Sequence, residues 1–140
     1  MPLLGVKNLI GNVEKWRLLM REELIKQYFQ MWIDKNREGF DEVIHKNVFY
    51  SESFGPEYHG LSQVKQWFDE WIVKGTVLEW TINRYIEKDN LSIVEWYFAC
   101  ESNDSVDALN GVSLIEWSED NKMLSVREFQ SKAMHYMPYN

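Results

Sequence analysis

The side chains of this chain that could do chemistry are a carboxylate and a tyrosine set among aromatic residues. Glu52 ends the segment 48–52, where Tyr50 shares its strand face, and Tyr28 lies on a predicted helix. A carboxylate in an aromatic pocket loses hydration, which raises its pKa toward the pH at which it can accept and return a proton. Glu52 and Tyr28 are therefore a candidate proton-transfer pair. The alternatives are that Glu52 faces solvent or pairs with Arg or Lys, and that Tyr28 is a core tyrosine.

Motifs for metal, nucleotide or nucleophilic chemistry are missing from the sequence. His45, His59 and His135 are widely separated, and no HxxxH or HExxH pattern occurs. No Ser-His-Asp arrangement and no glycine-rich nucleotide loop is visible. We therefore expect neither a metal nor a cofactor.

Composition limits the partners and the compartment. The formal net charge is -7, from 22 acidic residues against 15 Lys and Arg, without a basic cluster. Attraction to nucleic acid or to anionic membranes is not expected. No segment reaches the roughly 20 apolar residues of a membrane span, and the N-terminal residues lack the features of a secretion signal. The single cysteine, Cys100, is expected to be a buried thiol, which fits the cytoplasm.

The first half of the chain reads as helices and one strand. Apolar residues at steps of three or four predict a first helix over about 13–36, capped by Asn12. A brief helix over 40–45 and a strand over 48–53 follow. A glycine- and proline-containing loop leads to a third helix, capped by Ser62 and terminated by Gly75.

The second half changes to the two-residue period of strands. Segments 76–87, 91–101, 109–117 and 122–132 predict two hairpins in a four-stranded meander, with a mobile loop over 102–107. The prediction is one α+β domain over 1–140, with an N-terminal extension over 1–12 and a tail over 133–140. Its curved, mixed or antiparallel sheet packs on three N-terminal helices.

This order of elements resembles the nuclear-transport-factor-2-like superfamily, and in particular its SnoaL-like and ketosteroid-isomerase-like proteins. The local markers are residues 28–32, the segment 48–52, His59-Gly60 before the third helix, and residues 112–117 with the turn 118–121. The resemblance implies a cone-shaped barrel of cystatin-like topology with a pocket between the concave sheet and the helices. It also implies a homodimer formed through the outer face of the sheet. Function varies widely within this fold.

The resemblance also suggests roles for particular residues. In the ketosteroid isomerases a carboxylate base lies on the first strand, and counting from the second helix places Glu52 there, whereas counting back from Gly60 places Ser51 there. Tyr28 matches the tyrosine that stabilises the oxyanion, and Ser113 stands where the isomerases have an acid. The loss of one such donor typically costs about a hundredfold to a thousandfold in rate.

A small hydrophobic or aromatic ligand is expected in this pocket. Arg84 is placed on the same strand face as Trp80, where it could receive a carboxylate or an enolate, or else it reaches out at the rim. Two functions remain open: a cofactor-free isomerase or proton-transfer enzyme, and a non-catalytic dimeric binding or interaction module. The expected ligand-binding residues are Trp32, Tyr50, Tyr58, Trp71, Trp80, Arg84, Trp96, Phe98, Ser113 and Ile115.

Overall fold

A computed structural model describes residues 19–140, which form one sheet with helices on one of its faces. The predicted start of the first helix and the N-terminal extension lie outside the described residues. Within them, no helix has the length and the apolar character needed to cross a bilayer. In chain order the elements are α1 (19–34), α2 (Phe40–Val43), β1 (Ile44–Ser51), β2 (Glu57–His59), α3 (Leu61–Lys74), β3 (Gly75–Lys88), β4 (Leu91–Ser102), β5 (Ser105–Trp117) and β6 (Met123–Lys132).

The sheet has six strands in the order β2-β1-β6-β5-β4-β3. β3 to β6 form the predicted antiparallel meander, while β1 runs parallel to β6 and antiparallel to β2. The short strand β2 was not predicted, because it lies in a segment that reads as a loop. The sheet is therefore mixed, and the predicted α+β class and topology are confirmed.

The helices cover the concave face of the sheet with an apolar stripe. Ile25, Tyr28, Phe29 and Trp32 of α1 are all buried, at the three- and four-residue spacing of a single helix face. Burial of side chains of this size contributes roughly 1.5–3 kcal/mol each. The described part of α1 ends at 34, followed by Lys35 in the left-handed region (φ 55°).

Two of the predicted helix boundaries are wrong by one or two residues. The brief second helix stops at Val43 instead of residue 45, because the chain becomes extended at Ile44 and enters β1. The third helix begins at Leu61, so the residue before it is Gly60 and not the predicted cap Ser62. Gly60 has a φ of 91°, which a residue with a side chain rarely adopts.

The predicted mobile loop over 102–107 is instead the tip of a hairpin. β4 extends to Ser102 and β5 starts at Ser105, which leaves Asn103 and Asp104 as a two-residue turn. Their φ values of 53° and 61° are those of a type I′ turn, whose twist matches that of the flanking strands and which Asn and Asp tolerate. Their polarity therefore reflects the turn, and both strands are longer than predicted.

Candidate functional site

A cavity of about 230 Å³ lies between the helices and the concave face of the sheet. Residues from α1, α3, β3, β4, β5 and β6 line it, so the tertiary fold is needed to assemble it. Its aromatic wall comprises Trp32, Phe54, Trp67, Trp71, Trp80, Trp96 and Phe98. The remaining wall comprises Glu52, Ser53, Cys100, Asp107, Leu109, Glu128 and Gln130.

The tryptophans of the wall contact one another around the cavity. The ring centroid of Trp32 lies 5.7 Å from that of Trp71 and 6.5 Å from that of Trp80, at interplanar angles of 74° and 70°. The ring of Trp80 in turn lies 5.7 Å from that of Trp96, at 80°. These distances are within the favourable range for aromatic pairs. The rings form steeply angled walls and not a flat stack.

Glu52 faces the cavity because of the alternation along β1. Val48 and Tyr50 are buried, and Glu52 continues their face just beyond the end of the strand. Ser51 lies on the other face, where its hydroxyl donates to the carboxylate of Glu57 at 3.3 Å. The structure thus places Glu52, and not Ser51, in the cavity wall.

The carboxyl group of Glu52 is held by one tyrosine. Tyr58 of β2 donates a hydrogen bond from its hydroxyl to Glu52 Oε2 at 2.7 Å, while its ring stacks on Trp67 at 4.6 Å. Burial raises the pKa of Glu52, and the hydrogen bond from Tyr58 opposes part of that rise. Tyr58 therefore touches the cavity through Glu52 and Trp67 and is not itself part of the wall.

Glu128 of β6 is a second carboxyl group in the cavity, and it was not among the residues expected there. The Tyr50 hydroxyl donates to Glu128 Oε2 at 2.9 Å, and the Tyr28 hydroxyl donates to that of Tyr50 at 2.9 Å. Burial, with a smaller contribution from the negative charge of Glu52, raises the pKa of Glu128 to about 8. One signal was available: Val126 and Glu128 are two residues apart on a predicted strand, which places an acid on an apolar face.

Tyr28 lies in the core beneath the cavity and does not form part of its wall. Its side chain is only 2% exposed, and burial raises the pKa of its hydroxyl well above the usual range. It reaches the cavity through Tyr50 and Glu128, so it does not meet a molecule in the cavity directly.

Ser113 and Ile115 are also core residues. The Ser113 hydroxyl accepts a hydrogen bond from Trp96 Nε1 at 2.9 Å, and both partners are buried. Ser113 therefore orients a tryptophan of the wall and is not itself among the wall residues. Ile115 is 2% exposed within the main core cluster.

Arg84 lies on the outer face of the sheet, which corrects the prediction that it shares a face with Trp80 and Ile82. Ile82 pairs with Trp96 but Arg84 pairs with Glu95, because the register between β3 and β4 shifts by one residue between them. A β-bulge of this kind turns the following side chains to the opposite face. The side chain of Arg84 is 69% exposed and lies 3.8 Å from the Glu95 carboxylate.

The structure brings together about half of the residues expected at the site. Asp107 was missed because it was assigned to the loop that proved to be part of β5, and Trp67, which precedes Trp71 by one helical turn, was not among the expected residues. The expected residues that line the cavity are Trp32, Glu52, Trp71, Trp80, Trp96 and Phe98. Those placed elsewhere are Tyr28, Tyr50, Tyr58, Arg84, Ser113 and Ile115.

Two indole N–H groups of the wall, those of Trp32 and Trp80, are buried and make no hydrogen bond of good geometry with the described residues. The Trp32 N–H group does lie close enough to the Tyr28 hydroxyl to lower its pKa, so the Trp80 N–H group is the clearer case of an unpaired donor. An unpaired buried donor costs about 1–3 kcal/mol, and such groups are uncommon in folded proteins. A bound molecule that offered an acceptor atom to either group would relieve this cost.

The arrangement can hold and move protons. Glu128 keeps its proton to a higher pH than Glu52, because the rise in pKa is large at Glu128 and smaller at Glu52. Two carboxyl groups with separated pKa values can serve as a proton donor and a proton acceptor in one site. Within residues 19–140, no group of three or more His, Cys, Asp or Glu side chains is placed to hold a metal ion.

Comparison with solved structures supports the fold. A hypothetical protein with a ketosteroid isomerase-like fold from Catenulispora acidiphila, in complex with trimethylamine, aligns at 14% identity and a TM-score of 0.68 over 76% of this chain and 84% of that one. An LEH-like epoxide hydrolase from M. tuberculosis aligns at 9% identity and a TM-score of 0.69 over 78% and 80%. A protein of unknown function with a cystatin-like fold from Xanthomonas campestris aligns at 16% identity and a TM-score of 0.66 over 80% and 91%.

Comparison with protein families identifies the relationship. No curated protein sequence matches the chain. A family model described as a SnoaL-like domain matches residues 25–126, which run from the buried face of α1 to β6 and include most of the cavity wall. The resemblance inferred from the sequence is therefore confirmed, and the chain belongs to the SnoaL-like family within the nuclear-transport-factor-2-like superfamily.

Proposed function

We propose that this chain binds a small, mainly apolar molecule in the tryptophan-lined cavity and transfers a proton on it. Glu52 is the proton acceptor and Glu128 the proton donor. The observation that carries the proposal is that both carboxyl groups line one apolar cavity, and that a tyrosine hydroxyl donates to each of them.

The hydrogen bonds define what each tyrosine contributes. Tyr58 fixes the carboxyl group of Glu52, and Tyr50 fixes that of Glu128. Tyr28 bonds to Tyr50 and is a positioning residue in this scheme. A fixed carboxyl group needs little reorganisation when the proton moves, which is the advantage of a preorganised site.

The neighbours agree with a small-molecule site. The Catenulispora acidiphila protein holds trimethylamine, and the M. tuberculosis protein is described as an epoxide hydrolase. At such low identity these names do not transfer a substrate to this chain. They support the use of this fold around a small molecule, and the choice of reaction depends on the two carboxyl groups.

The second candidate function is a non-catalytic, dimeric binding module, and the outer face of the sheet favours it. Ile86, Val106 and Phe129 are each between 47% and 64% exposed, and the strand pairing places them on the face opposite the cavity. A second copy of the chain would cover this apolar surface. A dimer is compatible with either function, so the reaction itself must be measured.

Hydrogen exchange tests proton transfer without knowledge of the product. Small ketones are incubated with the full chain in D₂O, and loss of the proton signal beside the carbonyl is followed by NMR. We expect acceleration by the wild-type chain with at least one ketone of the panel, and loss of that acceleration in Glu52→Gln. Glu57→Gln is the matched control, because Glu57 of β2 is exposed and its side chain lies with Ser51 on the face of the sheet opposite the cavity.

The outcomes separate the two functions. Exchange that is catalysed by Glu52→Gln as well as by the wild-type chain would show that Glu52 is not the acceptor. Ketones that bind to the wild-type chain without any accelerated exchange would favour the non-catalytic binding module.

A further inference from the structure

We propose that the ligand of the cavity is a small organic cation, an alkylammonium group with apolar substituents on its nitrogen. This inference deepens the proposed function and rests on it, because it names the chemical class of the molecule bound in the same cavity. The juxtaposition behind it is a wall of tryptophan rings beside three carboxyl groups, with no Lys, Arg or His among the described residues that line it.

The tryptophan wall suits an ammonium group with apolar substituents. Trp32, Trp71, Trp80 and Trp96 come from four different elements, and their rings meet at angles of 70° to 80°. A cation is attracted to the negative face of an aromatic ring, and tryptophan gives the strongest such interaction. Steeply angled rings that surround one space are the usual way in which proteins enclose methylated ammonium groups.

The charges of the cavity lack a positive partner. Glu52, Asp107 and Glu128 line it, and no positively charged side chain is among the groups that influence the pKa of Glu52 or Glu128. A buried carboxylate is costly unless a proton or a cation compensates its charge. Arg84, which was expected to bring a positive charge to the cavity, lies on the outer face of the sheet. A cationic ligand could supply that positive charge.

The same charges argue against other ligand classes. An anion would meet three carboxyl groups and no cation, which is unfavourable in a cavity with apolar walls. A neutral molecule with an acceptor atom could pair with an unpartnered indole N–H group but would leave the carboxyl groups without a partner. A neutral molecule is therefore the rival that the experiment must separate from a cation.

Choline and 3,3-dimethylbutan-1-ol form the matched pair of probes. They have the same shape and differ in that a quaternary carbon replaces the charged nitrogen. The full ¹⁵N-labelled chain is titrated with each, and the indole N–H signals of its seven tryptophans report binding. We expect choline to bind at least about tenfold more tightly than the alcohol, because cation–π attraction in desolvated sites is of that order.

Variants at two wall positions locate the interaction, and a variant at a third position is the control. Above pH 8, where the Glu128 carboxyl group is charged, Glu128→Gln should weaken choline binding about tenfold and leave the alcohol unchanged, because it removes that charge at constant shape. Trp71→Leu should weaken choline binding more than Trp71→Phe, which retains a ring. Glu101→Gln, at an exposed position on the outer face, should change neither affinity.

The pH dependence provides an independent readout, because choline is charged at every pH. Its affinity should rise as the pH passes through about 8, where Glu128 loses its proton, and this rise should be absent in Glu128→Gln. The other titratable groups around Glu128 are Tyr50, Tyr28 of α1, Glu52, and Asp107 and Cys100 of the cavity wall.

Each outcome decides between the proposals. Equal or tighter binding of the alcohol would overturn the cationic ligand and leave the proposed small-molecule site intact. Choline binding that is unaffected by Glu128→Gln and Trp71→Leu would place the cation outside this cavity and overturn the inference. If neither probe shifts any indole signal, both the cationic ligand and the proposed binding function fail.

Discussion

Glu128→Gln should stabilise the folded chain above pH 8 and flatten its stability between about pH 5 and 8. The folded chain keeps the Glu128 proton to a pKa of about 8, whereas a free glutamate releases it near 4.5. The folded state therefore binds more protons than the unfolded state in this window. The free energy of unfolding then falls as the pH rises through it, and the full penalty is present above about pH 8.

The magnitude follows from the two pKa values. Each unit between 4.5 and about 8 corresponds to about 1.4 kcal/mol, which gives an upper limit of about 5 kcal/mol. Relaxation around a buried charge lowers such values, so we expect Glu128→Gln to gain roughly 2–4 kcal/mol above pH 8. Glutamine preserves the size of the side chain and an oxygen that accepts the hydrogen bond from Tyr50.

Urea unfolding followed by tryptophan fluorescence measures this effect across the pH range. The difference between wild type and Glu128→Gln should grow steadily from about pH 5 to pH 8 and then level off. A smaller slope should remain in the variant, because burial also raises the pKa of Glu52. Glu101→Gln is the control for loss of a charge at an exposed site. Parallel curves for wild type and Glu128→Gln would show that the pKa of Glu128 is not raised in the folded chain.

Three further substitutions test interactions in the core and around the site. Gly111→Ala should lower the free energy of unfolding by about 1–3 kcal/mol, because a Cβ there would lie 2.2 Å from the Trp96 ring. Unchanged stability and unchanged tryptophan fluorescence would contradict this. Arg21→Met should lower the free energy of unfolding in urea by about 3–5 kcal/mol, because it leaves the buried Glu87 carboxylate without its 3.0 Å ion pair. A second change in the same chain, Glu87→Gln, should recover part of this loss of stability. Tyr50→Phe should lower the free energy of unfolding by roughly 1–2 kcal/mol, because two hydrogen bonds are lost. The pKa of Glu128, followed by ¹³C NMR, should rise further in this variant, because the hydrogen bond from Tyr50 opposes the rise in the wild-type chain; a fall would contradict this.

The architecture could be predicted because it depends on local periodicity. The stripe Tyr28–Trp32 on α1 and the alternation Val94, Trp96, Phe98 on β4 each show which face is buried. The hairpins followed from polar turn residues between such segments. Each of these patterns involves residues that are close together in the sequence, so each can be recognised without knowledge of the tertiary structure.

The parts of the site that could not be predicted depend on single-residue shifts and on distant partners. The bulge before Arg84 reverses the facing of that side chain, and no local signal marks it. The hydrogen bond between Tyr50 and Glu128 joins residues that are 78 positions apart. Counting from the second helix places Glu52 at the position of the isomerase base, and Glu52 lines the cavity because it continues the buried face of β1. Its role as a proton acceptor remains a prediction.

The proposed proton transfer requires that the cavity hold two carboxyl groups with separated pKa values, one ready to donate a proton and one to accept it. A ¹³C NMR titration of the glutamate side-chain carboxyl groups tests it most directly, with Glu128→Gln and Glu52→Gln used to assign the signals. We expect one signal that titrates near pH 8 and disappears in Glu128→Gln, and a Glu52 signal that titrates at a lower pH but above that of exposed glutamates. Titration of both signals together with the exposed glutamates would contradict it.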